Sequence, residues 1–353
     1  MDELLYSLAL SMVKGVGPAR YRLLIEKFGS ASAVFSSKRK DLMDVVSSSV
    51  ADNIKNFDLS KAEEVLIRSE KLGLDVVSIQ SAVYPDRLRF FSYSPPILWV
   101  KGDMNVLMGN TVGVVGTRRP DSYGIRATKK IVESLSSSNL TIVSGGAYGI
   151  DTVAHKTALD NDGKTVAVLG SGLDVPYPWQ NRGLFEKIPE SGALISEFPP
   201  GTKPNAENFP KRNRIISALS DLLVVIEAGN TSGALLTARW ALEQGKEIFA
   251  LPGPFDSEKS RGTNRLIKEG ARIITDVNDI LEEFGLVKRE KAVVQLTVKE
   301  QSVLELLCDD PVHVDQLVLK TSMDITEILG ILLNLELKGL VRQIPGKYFV
   351  KDT

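Results

Sequence analysis

Between residues 112 and 251 the chain carries six short apolar runs, at 112–115, 140–143, 165–169, 193–196, 222–226 and 247–251. Stretches with helical spacing separate them, and helices are expected near 122–137, 149–160, 180–188, 211–219, 233–244 and 263–269. Strands that alternate with helices in this way form a parallel, doubly wound α/β sheet. Two further strands, at 75–79 and 97–100, precede the series. In such a sheet, ligands bind at the carboxyl ends of the strands.

The stretch 111–159 defines that edge most sharply. One run ends at Gly116-Thr117-Arg118-Arg119 and the next at Ser144-Gly145-Gly146. Each loop stands just before a helix, where free N–H groups and a positive dipole end attract anions. Small residues let backbone approach such an anion. Arg118 and Arg119 add guanidinium groups that can grip a phosphate with two hydrogen bonds. The common nucleotide cofactors do not fit. A dinucleotide site needs G-x-G-x-x-G and an acid at the end of the second strand, and this second strand ends in Ser144-Gly145-Gly146. Gly163-Lys164-Thr165 mimics the end of a P-loop, but residue 158 is Ala and the string precedes a strand. No built-in cofactor is expected.

Two more segments extend the edge. Phe209-Pro210-Lys211-Arg212-Asn213-Arg214 places three bases within four residues beside an aromatic, the composition of a site that tracks a nucleic-acid backbone and stacks bases. The alternative is a solvated basic helix start, which opposes the helix dipole. Asn230-Thr231-Ser232-Gly233 again opens a helix just past a strand. Catalytic candidates are fewer. Asp151 and His155 stand four apart on a helix, which suits a hydrogen-bonded pair, or Asp151 as a cap. Glu227, Asp174 and Glu197 sit at strand exits, and Glu227 is the candidate acid or base of a nucleotide hydrolase.

Composition restricts the partners. With 43 Lys and Arg against 44 Asp and Glu, the chain is nearly neutral, so any nucleic-acid surface is a local patch. The single cysteine, Cys308, excludes an internal disulfide and suits a reducing compartment. Two histidines and one cysteine leave little for a soft metal, and no metal site is expected. The amino terminus lacks the basic start of a signal peptide, and no apolar run reaches membrane-spanning length. A cytoplasmic protein without a membrane segment is expected.

Residues 1–73 read as a helical domain. A helix ends at Lys14-Gly15-Val16-Gly17-Pro18 and another opens at Pro18, which resembles a helix-hairpin-helix, or SAM-like, unit. Residues 14–40 hold seven bases and one acid, so the hairpin offers either phosphate contact or a structural module. Residues 74–287 hold the sheet. A charged linker, 288–295, leads to 296–353, where three helices and a ribbon turning at Pro345-Gly346 suggest a winged helix. That region has six bases against nine acids, and its expected recognition helix, 324–337, has three acids and no base. A major-groove reader needs the reverse, so protein contact is expected in place of sequence-specific duplex binding.

The segments VVGTRRPDSYG, IVSGGAYGIDTVAHKTAL, VAVLGSGLDVPYPWQN, ISEFPPG, FPKRNRIISALSDLLVVIEAGNTSGALLTARWALEQGKEIFALPG and GTNRLIKEGA together resemble the DNA-processing protein A family (DprA, also called Smf). The resemblance implies an extended Rossmann-like domain that binds single-stranded DNA, forms a homodimer and loads RecA recombinase in natural transformation. It implies no cofactor and no enzymatic turnover. It assigns phosphate contact to Arg118, to the amides of Ser144, Gly145 and Gly146, and to Arg212 and Arg214, with Lys211 at the variable position. Members often carry a lysine where Trp179 follows Tyr177-Pro178 here, so at this position Trp179 either stacks a base or only packs. Dimer contacts are implied around 247–285. The expected DNA site therefore comprises Gly116, Thr117, Arg118, Arg119, Ser144, Gly145, Gly146, Phe209, Lys211, Arg212, Asn213, Arg214, Ser232 and Gly233. The competing function is a nucleotide-binding sensor or nucleoside-monophosphate hydrolase on a related fold.

Overall fold

The computed structural model describes residues 3–286, 296–307, 311–321, 323–338 and 340–351. They fall into two compact units, Met1–Val287 and Lys288–Thr353. The expected linker 288–295 and Cys308 lie outside the described residues.

The first unit is built on nine strands: β1 (Asp75–Ser78), β2 (Ile97–Gly102), β3 (Thr111–Val115), β4 (Thr141–Ser144), β5 (Thr165–Leu169), β6 (Gly192–Ser196), β7 (Leu222–Val225), β8 (Glu247–Ala250) and β9 (Arg272–Ile273). Their order is β1-β2-β6-β5-β4-β3-β7-β8-β9. The seven strands from β6 to β9 pair in parallel, while β1 and β2 run antiparallel at one edge. From β3 the chain moves outward through β4, β5 and β6. It then crosses back to the other side of β3 for β7, β8 and β9. The sheet is thus doubly wound and Rossmann-like, and it reverses direction between β3 and β7. A crevice opens at the carboxyl ends of those two strands. All six expected parallel strands form close to their expected limits. β9 has two residues, too few to leave a periodic signal.

Six helices precede the sheet: α1 (Glu3–Met12), α2 (Pro18–Phe28), α3 (Ala31–Ser36), α4 (Arg39–Leu42), α5 (Ser48–Lys55) and α6 (Ser60–Lys71). The short α7 (Asp86–Arg89) lies between β1 and β2. The connections within the sheet are α8 (Ser122–Ser137), α9 (Ile150–Asp160), α10 (Arg182–Ser191), α11 (Asn208–Leu219), α12 (Gly233–Glu243) and α13 (Arg261–Lys268), and α14 (Asn278–Leu281) follows β9. Side-chain caps fix several starts. Asp121 accepts hydrogen bonds from the Tyr123 and Gly124 amides at 2.8 and 3.0 Å, which opens α8. Ser232 caps α12.

Successive strand residues point to opposite faces, and both faces are covered. On one, Ile215, Ile216 and Leu219 of α11 and Ala234 and Ala238 of α12 pack on Val115, Val143, Val168 and Val225. On the other, Ile131 and Leu135 of α8 and Ile150 and Ala154 of α9 pack on Val112, Val114 and Ile142. Leu5, Leu8 and Ala62, from α1 and α6, join Leu184 and Ile188 of α10 over Trp99, Ala167 and Leu169. The buried Trp99 indole donates to Ser69 at 3.0 Å. The amino-terminal helices therefore share a core with the sheet, and they also hold a second core around Tyr21, Leu24, Leu42 and Ile54. Their hairpin turn is tied inward: Arg20 donates to the Gly15 carbonyl at 2.7 Å and Asn53 to the Lys14 carbonyl at 2.9 Å. Arg39 pairs with Asp52, and Arg22 donates to the Arg89 carbonyl. Three bases of the basic stretch thus meet protein partners.

The second unit has helices α15 (Val298–Glu305), α16 (Val314–Thr321) and α17 (Ile325–Leu337) and strands β10 (Val312–His313), β11 (Val341–Ile344) and β12 (Tyr348–Lys351). The strand order is β10-β12-β11, all antiparallel, which is a winged helix. The expected ribbon gains β10 as a third strand, formed by residues that the sequence pattern assigns to a helix start. Thr297 and Glu300 form a capping box on α15. Asp324 caps α17 by accepting the Thr326 amide at 2.7 Å, which accounts for one of that helix's acids. Among the described residues, no helix is long and apolar enough to cross a membrane.

Candidate functional site

At the β3/β7 crevice the loops after β3, β7 and β8 rise around the first turns of α11. They enclose a cavity of about 970 Å³. Gly116, Thr117, Arg118 and Arg119 form one wall, and Phe209, Arg212 and Asn213 form a second. Asn230, Thr231, Ser232 and Gly233 form a third, and Lys259 and Arg261 stand on the fourth side. Arg118 and Arg119 are exposed, and the Arg118 guanidinium lies 5.7 Å from the Phe209 ring centre. Tyr177 also lines the cavity, with its ring centre 5.7 Å from that of Phe209.

The structure separates residues that the sequence groups. Lys211, Arg212 and Arg214 are not a helix start, because α11 begins at Asn208. They occupy its first two turns, where residues about 100° apart fan around the axis. Lys211 faces solvent outside the cavity wall. Arg214 is buried and grips Glu197 through two hydrogen bonds of 2.8 and 2.6 Å, so both groups are committed to each other. Arg212 is also buried. Its guanidinium donates to the Gly145 and Val168 carbonyls and lies 5.9 Å from the Phe209 ring centre. Burial lowers its pKa to about 10, the nearby Asp151 opposes that fall, and Arg118 adds to it; the group stays charged at neutral pH. Asn213 accepts from Arg212 at 3.2 Å and donates to the Gly233 carbonyl at 3.3 Å, joining α11 to α12.

At the expected nest of Ser144, Gly145 and Gly146, the chain's own Asp151 takes the Gly145 amide. The Asp151 carboxylate accepts the Gly145 and Ala147 amides at 3.2 and 3.3 Å. The Ser144 hydroxyl donates to the Val114 carbonyl at 2.6 Å. Gly145 borders only a narrow recess beside Arg118 and Phe209, and neither Ser144 nor Gly146 belongs to the cavity wall. A Cβ on Gly145 would lie 2.8 Å from the Arg212 guanidinium carbon, so glycine here makes room for arginine. Lys259 and Arg261 are cavity residues that sequence reasoning missed. Their signal was two cations at the exit of a parallel strand, in PFDSEKSRG.

The catalytic candidates are committed internally. Asp174 pairs with Arg68 at 2.6 Å and accepts the Gly201 amide at 2.7 Å. Asp151 and His155 point to different partners: the His155 Nδ1 meets Thr165 at 2.7 Å. Burial holds His155 neutral, with its pKa lowered to about 3, and Arg212 adds to the effect. Burial also raises Asp151 to about 6, against the opposing pull of Arg212 and the amides. Glu227 clamps the Arg118 loop at both ends. Its carbonyl accepts the Thr117 amide at 2.6 Å, and its carboxylate accepts the Asp121 amide at 3.2 Å. A Cβ on Gly124 would lie 2.2 Å from that carboxylate, so only glycine admits it. Burial raises the Glu227 pKa, although the Asp121 hydrogen bond lowers it.

A family model described as DNA recombination-mediator protein A matches residues 75–285, and one described as DprA winged helix domain matches 287–347. The chain is 34% identical to Protein Smf of Synechocystis sp., over 98% of each chain. It is 38% identical to Protein Smf of Escherichia coli, over 84% of this chain and 83% of that one. The X-ray structure of DNA processing protein A from Streptococcus pneumoniae superposes with a TM-score of 0.70 at 32% identity, over 80% of this chain and 98% of that one. The Helicobacter pylori DNA processing protein A, whose structure concerns a single-stranded DNA binding mode, superposes with a TM-score of 0.55 at 29% identity. That match covers 60% of this chain and 95% of that one.

Two outcomes follow from this geometry. Glu227→Ala should speed hydrogen exchange at the Asp121 amide, whereas Glu227→Gln, which keeps an acceptor oxygen, should leave it slow; equal rates in both would remove the clamp. The second concerns acid. As pH falls below 6.5 the unfolded chain protonates His155 while the fold resists until about 3, so stability is lost through that window by about 3 kcal/mol at pH 4. Asp151 acts in the opposite sense, because its carboxyl takes a proton in the fold at about 6, before the unfolded chain does. Comparison of His155→Gln with the parent isolates the histidine: the variant's melting temperature should fall less between pH 6.5 and 4.

Proposed function

The chain belongs to the DNA recombination-mediator protein A family, and from that premise we propose that it binds single-stranded DNA without regard to sequence. It serves DNA processing in transformation and loads RecA recombinase onto the strand it holds. It works in the cytoplasm by binding, without turnover or a cofactor.

The observation that carries this reading is the gathering of Arg118, Arg119, Lys259 and Arg261 around one crevice with the Phe209 ring. Four cations exceed what one small phosphate requires, and each phosphate they neutralise releases condensed counterions. An aromatic ring among guanidinium groups accepts any base by stacking. The Helicobacter pylori relative supports the same reading. Gly116, Thr117, Asn213, Ser232 and Gly233 shape the crevice, while Arg212 holds its floor. Dimerisation through the late part of the sheet is supported by β9, which is a sheet edge, and by Phe255 and Ile273, which are 91% and 45% exposed. The winged unit suits protein contact: α17 carries Glu327 and Glu336 and exposes Leu333 and Leu337.

The competing hydrolase needs an acid or base at the ligand. Glu227 is outside the cavity wall and serves the loop clamp, and of the two acids on the wall, Asp151 and Glu258, Asp151 is held by the Gly145 and Ala147 amides. Incubation with nucleoside monophosphates should release no free base; release that disappears in Glu227→Ala would establish the hydrolase instead. In the main test, Arg118→Ala should weaken binding to oligo-dT and to mixed-sequence strands alike, and should reduce the log–log salt slope by about 0.7. Binding like the parent across a salt titration would remove Arg118 from the site.

A further inference from the structure

The basic crevice does not account for the aromatic residues beside it. Tyr177 and Trp179 are 42% and 64% exposed. Exposed tryptophan needs a reason, since a large apolar ring in water is costly and a bare aromatic patch usually marks a contact surface. The segment that carries it is well anchored. Asn181 is buried, and its amide group donates to the Gly146 carbonyl at 3.0 Å and to the Thr152 hydroxyl at 2.7 Å. The Asn181 backbone N–H closes the turn onto the Pro178 carbonyl at 3.0 Å, and Tyr148 bonds to Gln180. Trp179 is thus held outward on a turn whose neighbours are fixed. The Arg182 guanidinium, which pairs with Glu186 at 2.9 Å, lies 5.0 Å from its ring centre, and Trp179 remains largely exposed.

The position of this turn is informative. Tyr177 lines the crevice, and its ring meets Phe209 at 5.7 Å. Pro178 and Tyr148 border the recess that holds Arg118 and Arg212. Phe209 and Tyr177 thus line the crevice, and the chain leads from Tyr177 through Pro178 directly to Trp179, with Arg182 at its ring. Aromatic faces beside cations in a row are what a single strand requires, because stacking tolerates every base and the cations follow the backbone.

We propose that Trp179, with Arg182, forms a base-stacking subsite for single-stranded nucleic acid where the strand leaves the crevice past Tyr177. This rests on the reading of the crevice as a strand site. The subsite contributes stacking and little ionic attraction, so its share of affinity is nearly independent of salt, whereas that of Arg118 is not.

The test uses the full-length protein and oligo-dT of about 4 and about 16 nucleotides, the range of single-strand site sizes. Trp99 is buried and Trp240 half-buried, so stacking should quench mainly Trp179 emission. The longer oligonucleotide should quench it, and Trp179→Phe, which keeps a smaller ring, should abolish that quenching and lose less affinity than Trp179→Ala. Trp179→Ala should bind the longer strand about tenfold more weakly, equivalent to about 1.4 kcal/mol, with an unchanged salt slope. It should bind the shorter strand, which the crevice alone can hold, like the parent. If Trp179→Ala binds the longer strand like the parent and emission does not change, while Arg118→Ala still weakens binding, the stacking subsite is wrong and the crevice stands. If Arg118→Ala also binds like the parent, the crevice reading falls and the subsite with it.

Discussion

One residue, Gly145, holds a buried charge at each of its two backbone polar groups. Its N–H is taken by the buried Asp151 carboxylate and its carbonyl by the buried Arg212 guanidinium. Arg212 reaches on to Val168 at the end of β5, so the exits of β4 and β5 are joined to the starts of α9 and α11. Charges removed from water are tolerated only when they are paired and hydrogen-bonded, and here the backbone supplies much of that satisfaction. The floor of the crevice is therefore rigid and internally neutralised. It cannot release either charge to a ligand without exposing the other.

This division of labour explains how a nearly neutral chain can present a basic site. The buried cations Arg212 and Arg214 stabilise the architecture. The cations open to the crevice, Arg118, Arg119, Lys259 and Arg261, come from two separate segments, after β3 and after β8. Phe209 connects the two groups, with a buried guanidinium and an exposed one both within 6 Å of its ring centre. Glu227 then fixes the loop that carries Arg118 from beneath, through its own backbone and side chain. Preorganised loops lower the entropy lost when a flexible strand is captured.

Trp179 extends the same logic beyond the crevice. An aromatic on a fixed turn loses little freedom on stacking, and its contribution does not depend on counterion release. A site that combines four cations with Phe209, Tyr177 and Trp179 would hold a strand by two physically different forces, only one of which salt weakens.

Much of the fold was legible in the residue order. Short apolar runs alternating with helical periods required a parallel doubly wound sheet, and the helices expected near 122–137 and 233–244 form, opened by the caps Asp121 and Ser232. The crevice edge was legible too, since loops at strand exits beside Arg118 and Gly233 follow from strand direction alone. The roles of individual charges were not. Lys211, Arg212 and Arg214 are neighbours in sequence, but a helix turns them to three different environments, and only the packing of β5, β6 and α11 shows that two are enclosed. Ser144, Gly145 and Gly146 have the composition of an anion nest; that the anion is the chain's own Asp151 depends on the path of α9. Lys259 and Arg261 lie more than a hundred residues from Arg118 and reach the same crevice only because the sheet reverses between β3 and β7. Local sequence determines which elements form, through side-chain period and capping. Which charges stay free depends on burial and partner distance, and these exist only once distant strands are placed side by side.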